Sequence, residues 1–335
     1  MLIEGLKESI GKEPQDLVVW FNWTTFDIIG RLAFGESFGC LEKRENHPWI
    51  ETVFGNMKAG TFISSMDRVG LGWLKPYLIP KGAAQIRMKN YQFTEDKIHK
   101  RVALGDKNGD FWDNVLKHDE EHGRMSIHEM TANASNIVLG GSETTATLLS
   151  GCIYMLLLHP SVMEKVIAEL RQHFTSSDDI DLFTVSDLTY TLAVLQETMR
   201  IYPPVPTQAP RGVPQGGDTV GDRYIPEGTK ITMCQYAVNH LESNFKYPDN
   251  FIPERFMGDP SFVDDHFDAF QPFSVGARNC IGKTLAYAEM RLILARVLWE
   301  FEFELTKETG NWMDQKIYIL VSDVKICASL LLKKR

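Results

Sequence analysis

Apolar positions that recur every three or four residues run through the first two-thirds of the chain and predict a mostly helical protein. Leu17 to Phe34 is an apolar, aromatic-rich segment, and the glycines of Gly35 to Gly39 permit the turn that ends it. A helix is expected around Trp49 to Met57. Gly70 to Pro80 follows as an apolar loop bounded by glycine and proline, a pattern that leaves core packing and membrane contact both open. The charged run Lys117 to Arg124 reads as a solvated loop. Ser126 and Glu129 then form a capping box for a helix from Ile127 to Leu158, which at about 1.5 Å per residue spans about 48 Å. Within it the most apolar window, Ser135 to Leu158, predicts a buried helix. Pro160 suits the first turn of the next helix, whose apolar face is Val162, Val166, Ile167, Leu170 and Phe174, and Ser186 with Asp187 can cap another.

The period changes after Arg211. Asp222 to Ile225 and Lys230 to Met233 read as short strands joined by the turn Pro226-Glu227-Gly228-Thr229, and Lys316 to Leu332 alternates in part through Tyr318, Leu320, Cys327, Ser329 and Leu331. Between them Ile281, Leu285, Ala288, Leu292, Ala295 and Trp299 define one apolar helix face. No Pro/Gly/Ser linker separates these regions, so the expected architecture is one domain over residues 1–335, mainly α with small β-sheets.

Composition narrows the function. With 335 residues and 44% hydrophobic content the chain can bury a substantial core, and a net charge of -9 argues against a nucleic-acid partner. The five cysteines are scattered and odd in number, which points to a reducing compartment and to neither a disulfide framework nor a zinc site. Met1 to Gln15 carries five charged residues and no apolar stretch long enough for a signal peptide or anchor.

The strongest chemical signal is Phe273-Ser274-Val275-Gly276-Ala277-Arg278-Asn279-Cys280-Ile281-Gly282. The glycines let the backbone approach a flat ligand, and Arg278 suits a carboxylate. Cys280 is expected at a helix N-terminus, where the macrodipole favours the metal-binding thiolate. The bland alternative is a small buried cysteine. Two further constellations are weaker alone. Glu197 and Arg200 share a helix face and precede Pro253-Glu254-Arg255-Phe256. Gly140-Gly141-Ser142-Glu143-Thr144-Thr145 places poor helix formers inside the long helix, as a close-approach site or as a helix-packing glycine pair.

Taken in order, these motifs resemble the cytochrome P450 family, and Phe26 to Gly30 with Leu32 to Gly39 are similar to fungal members acting in secondary metabolism. The resemblance implies the P450 fold without its N-terminal elements, since the match covers Leu17 onward and lacks the anchor and first sheet strands of the family. It implies heme (iron protoporphyrin IX) as cofactor, with Cys280 as the iron ligand and Phe273, Gly276, Arg278, Gly282, Arg211 and Gly141 around it. It further implies Thr144 as the hydroxyl that stabilises bound dioxygen, with Glu143 managing protons beside it. Glu197, Arg200 and Arg255 become a structural network, and Ile137, Val205 and Thr207 line the substrate pocket. The implied activity is a monooxygenase acting on a hydrophobic small molecule with O2, fed by a separate NADPH-dependent flavoprotein reductase at the cytosolic face of the endoplasmic reticulum. The alternatives are a heme-thiolate isomerase or dehydratase that needs no reductase, and a truncated inactive remnant.

Overall fold

Local sequence and tertiary contacts divide the work of ending each helix, as a computed structural model of the chain makes visible. It describes residues 1–49, 60–61, 63, 65–66, 69–79, 82–117, 125–306, 313, 317–318, 321–322 and 329–334. The chain divides into two units, Met1–Ser150 with Phe301–Arg335, and Gly151–Glu300.

In the first unit, α1 (Leu2–Lys7) precedes α2 (Leu17–Phe34). Asp16 opens α2 by accepting hydrogen bonds from the Val18 and Val19 amides, and Gly35 closes it at φ 73°, a left-handed conformation that glycine adopts without steric cost. Leu17, Phe21, Ile29 and Ala33 give α2 its buried face. The buried Asp27 carboxylate caps α3 (Cys40–Lys43) by accepting from the Cys40 and Leu41 amides at 3.0 and 2.9 Å. Burial of the Cys40 thiol pushes its pKa up to about 11, so it stays protonated and acts as a packing residue.

The stretch from Val69 to Ile79 contains α4 (Lys75–Leu78) and leaves Val69, Leu71, Trp73, Tyr77 and Leu78 exposed, so core packing is excluded there. Next come α5 (Ala83–Ala103), α6 (Phe111–Lys117) and the long α7 (Ile127–Leu158), of which residues up to Ser150 fall in this unit. Arg101, fully buried, binds Asp110, Asp113 and the Gly105 carbonyl, and so locks the turn between α5 and α6. The capping box at α7 forms as expected: Ser126 N donates to Glu129 at 2.8 Å and Glu129 N donates back to Ser126 Oγ at 3.2 Å. A three-stranded antiparallel sheet completes the unit, with Ser329–Lys334 between Gln15–Asp16 and Phe301–Leu305. The part of the expected β-segment at Ile317–Tyr318 pairs with Val321–Ser322, while Lys316, Leu320 and Cys327 lie outside the described residues. So do most of the expected helix from Trp49 to Met57 and most of the loop from Lys117 to Arg124.

In the second unit, Pro160 occupies the first turn of α8 (Pro160–His173), where its missing amide hydrogen costs nothing, and Val162, Val166 and Leu170 are buried. Helix α9 (Thr189–Ile201) has no side-chain cap of its own. Ser186 and Asp187 were expected to supply one. Instead Glu169, from α8, accepts the Tyr190 and Thr191 amides at 2.7 and 2.8 Å. The cap comes from tertiary packing because α9 begins at Thr189, with Leu188 at the cap position.

The strands also pair differently from expectation. Arg223–Ile225 pairs with Asp218–Val220 across Gly221-Asp222, where Gly221 at φ 62° provides the tight hairpin. Lys230–Ile231 pairs with Arg211–Gly212 instead, so the strands flanking the Pro226–Thr229 turn belong to two separate sheets. After α10 (Gln235–Asn239) a series of short turns leads to α11 (Lys283–Glu300). Its buried stripe is Met290, Ile293, Leu294, Val297 and Leu298, rotated away from the expected face. Of that face only Ala295 is buried, and Ile281 precedes the helix and is 98% exposed.

Candidate active site

A turn of unusual backbone geometry presents Cys280. Ser274 and Gly276 both adopt positive φ, 59° and 78°, and the Cys280 amide donates to the Phe273 carbonyl at 2.9 Å, which closes the loop on itself. Glycine makes the second of these conformations cheap, whereas Ser274 sits in it against its preference, its hydroxyl 3.3 Å from Gln208 Oε1. The Cys280 side chain is exposed, so the small-buried-cysteine alternative does not hold. Helix α11 starts at Lys283, three residues later, which corrects the expectation that Cys280 itself stands at the helix N-terminus. Gly282 lies beside the sulfur: a methyl group there would come within 3.8 Å of Sγ. Phe273 is half-buried with its ring 5.1 Å from Tyr287.

Around the thiol, Val275 and Ile281 expose 65% and 98% of their surface, a bare apolar rim. Arg278 and Arg211 are exposed, and among the described residues neither has an ion pair. Arg211 is held by the pairing of Arg211–Gly212 with Lys230–Ile231. Val205 and Thr207 are half-buried on the extended segment after α9, and Thr207 Oγ1 lies 3.7 Å from the Cys234 sulfur.

Glu197, Arg200 and Arg255 come together with none of their side chains exposed. Glu197 receives both Nε and Nη2 of Arg200 at 2.8 Å, a two-pronged pair, and Arg255 Nε at 3.2 Å. The remaining Arg200 donors reach the carbonyls of Asn239, Pro248 and Asn250, which ties the meandering segment to α9. Sequence reasoning missed a fourth member. Asp265 pairs with Arg255 Nη1, so two carboxylates balance two guanidinium groups and no uncompensated charge is buried. Nothing in the spacing of Asp265, ten residues past Arg255 in an irregular segment, could have signalled it.

On α7, in the first unit, the helix continues without a break through Gly140 and Gly141. A methyl group added to Gly141 would sit 2.6 Å from Ile29 Cδ1, whereas one added to Gly140 meets nothing within 4 Å. Gly141 is therefore a contact between α2 and α7, a correction to its expected place beside a cofactor; Gly140 is the residue with open space. Thr144 Oγ1 donates to the Gly140 carbonyl at 2.8 Å and is half-buried, Glu143 is buried, and Ile137 is half-buried.

A second buried carboxyl escaped the sequence reading. Glu289 on α11 is 6% exposed, and among the described residues both its oxygens lack a hydrogen-bond partner. Burial alone pushes its pKa up to about 8, so the neutral acid predominates at pH 7.

A family-wide sequence model described as Cytochrome P450 matches residues 1–326. Averantin hydroxylase of Dothistroma septosporum is 48% identical over 324 residues, which cover 96% of this chain and 62% of the relative. Cytochrome P450 monooxygenase astA of Talaromyces wortmannii is 44% identical over 321 residues, covering 96% and 65%. Versicolorin B desaturase of Aspergillus parasiticus is 44% identical over 327 residues, covering 95% and 65%. The chain thus spans a little under two-thirds of the length of these relatives. Among solved structures, a cytochrome P450DA heme domain superposes with a TM-score of 0.80 at 21% identity, covering 100% of this chain and 69% of that one, which establishes the shared fold.

Proposed function

The chain belongs to the cytochrome P450 family, and from that premise we propose that residues 1–335 form a single heme-thiolate monooxygenase domain that oxidises a hydrophobic small molecule in fungal secondary metabolism. The observation that carries this reading is the exposed Cys280 thiol, raised on a self-closed turn inside an apolar rim with two unpaired arginines in the same unit. That donor set fits a heme. A soft thiolate suits the iron, Val275 and Ile281 suit the face of a porphyrin, and the guanidinium groups of Arg278 and Arg211 suit its propionates. The chemistry that a heme would supply there is the activation of dioxygen for insertion of one oxygen atom into a substrate C–H bond.

The chain's own residues would do the rest. Cys280 supplies the anionic ligand, and the buried Glu197–Arg200–Arg255–Asp265 cluster keeps the preceding segment rigid so that the turn does not shift. Gly140 leaves the side of α7 open for a close approach, and the Thr144 hydroxyl, now bonded to the Gly140 carbonyl, holds a proton that Glu143 beside it can replace. Val205 and Thr207 in the second unit, and Ile137 in the first, are the candidate substrate-lining residues. Relatives named for averantin and versicolorin B suggest a substrate of that class.

Electrons would come from an NADPH-dependent flavoprotein reductase, as membership of the family implies. Among the described residues no single helix is long and apolar enough to cross a membrane. The exposed Trp73, Tyr77, Leu78, Ile86 and Met88 would give the enzyme a peripheral grip on the endoplasmic reticulum surface.

The test is the absorption spectrum of the purified chain with hemin, reduced and exposed to carbon monoxide, beside Cys280→Ser. Thiolate ligation in the parent and its loss in the variant is the expected result. Identical spectra would overturn the assignment of Cys280. Turnover that depends on both reductase and O2 then separates monooxygenation from reductase-independent isomerisation.

A further inference from the structure

One side of α11 carries a cleft that the proposed heme chemistry does not use. Thr284, Tyr287, Ala288 and Arg291 fall at successive helical steps on one stripe, and Leu182 with Val185, from the segment between α8 and α9, forms the opposite wall of a cavity of about 300 Å³. Lys283 stands at its end. Each cation rests on an aromatic ring: Arg291 lies 5.7 Å from the Tyr287 centroid and Lys283 lies 5.9 Å from that of Phe273. The two rings pack against each other at 5.1 Å, so the charges are held on one aromatic base.

The two cations of this cleft are donors without acceptor partners among the described residues, whereas the Tyr287 hydroxyl is hydrogen-bonded with Gln196. No carboxylate lines it, and among the described residues neither Lys283 nor Arg291 has an ion pair. Among the described residues the buried Arg291 Nε hydrogen has no acceptor, an arrangement that costs free energy unless something supplies one. In a chain of net charge -9, Arg291 is the partly buried cation that a ligand could neutralise, with Lys283 about two helical turns away at the end of the cleft. Burial raises the Tyr287 hydroxyl pKa and so keeps its proton on as a further donor. The first turn of α11 adds the positive end of its macrodipole.

We propose that this cleft binds a small monocarboxylate with an apolar body, its carboxylate on Arg291 and its body against Leu182, Val185 and the Tyr287 ring. A carboxylate matches the fork of the guanidinium group, and the apolar wall prefers a hydrocarbon body to a bare inorganic anion. The site is independent of heme, so its test is independent of the reading above.

Binding of 4-fluorobenzoate to the full chain, followed by fluorine NMR, reads it directly. Saturable binding is expected, displaced by hexanoate and neither by hexanol nor by equimolar phosphate. Arg291→Gln should weaken it about tenfold or more, the effect of losing one charge-assisted pair. Leu182→Asp, at a residue 54% exposed, should abolish it by repulsion without touching the core. Unchanged affinity in both variants, displacement by hexanol, or absence of saturation would each overturn the proposal. The carbon monoxide spectrum of the same samples reports separately on Cys280.

Discussion

Glu289 offers a prediction whose size follows from its surroundings. Its carboxyl is buried on α11 with neither oxygen bonded among the described residues, and its pKa rises from 4.5 to about 8. The folded protein therefore holds a proton that the unfolded chain releases above pH 4.5. Stability contributed by this group is greatest below pH 4.5 and declines as pH rises, until the folded form also ionises near pH 8. A difference of 3.5 pK units corresponds to about 5 kcal/mol in full. Between pH 5 and pH 7.5 the expected loss is about 3 kcal/mol.

Glu289→Gln is uncharged throughout and lacks this dependence. Its absolute stability is set by how the amide packs, so the informative quantity is the difference between the two urea unfolding free energies as a function of pH. Every other titrating group is shared and cancels. The parent should lose stability relative to the variant by about 1.4 kcal/mol per pH unit across the window, with the difference levelling off above pH 8. An infrared difference spectrum should also contain a protonated carboxyl band that titrates near pH 8 and is missing from the variant. Parallel stability curves, or no such band, would refute the claim that this carboxyl is buried and unpartnered.

Four other substitutions test the geometry. Gly141→Ala forces a methyl group against Ile29 and should cost about 1–3 kcal/mol, whereas Gly140→Ala meets open space and should gain up to about 1 kcal/mol of helix propensity; thermal melts of the two must move in opposite directions. Asp265→Asn leaves two guanidinium groups facing one carboxylate in a buried cluster, and should destabilise by about 3–5 kcal/mol in chemical denaturation. Glu169→Ala removes the carboxylate that caps α9 from α8; about 0.5–2 kcal/mol should be lost, with faster amide hydrogen exchange at Tyr190 and Thr191 as the local signature.

Much of the helical framework was legible because it depends on neighbours in the chain. The Ser126–Glu129 box, the Pro160 start and the apolar steps of α8 each involve residues within one or two turns, so spacing alone specifies them. The loop bearing Cys280 was legible for the same reason, since Gly276 and the amide of Cys280 act within a few residues. Where the sequence misled, a distant contact had taken over. Ile29 turned Gly141 into a packing residue, the hairpin at Gly221 drew Arg223–Ile225 away from Lys230–Ile231, and tertiary contacts buried the Met290, Ile293, Leu294, Val297 and Leu298 stripe of α11 in place of the face read from the sequence.

Family membership, the order of its motifs and the identity of the sulfur ligand candidate were thus written in local patterns, which survive translation into structure because short-range geometry hardly depends on the rest of the molecule. Charge balance and proton occupancy were not. Asp265 neutralises Arg255, and Glu289 keeps its proton, only because folding removes both from water, and desolvation is a property of three-dimensional neighbours that no linear spacing encodes.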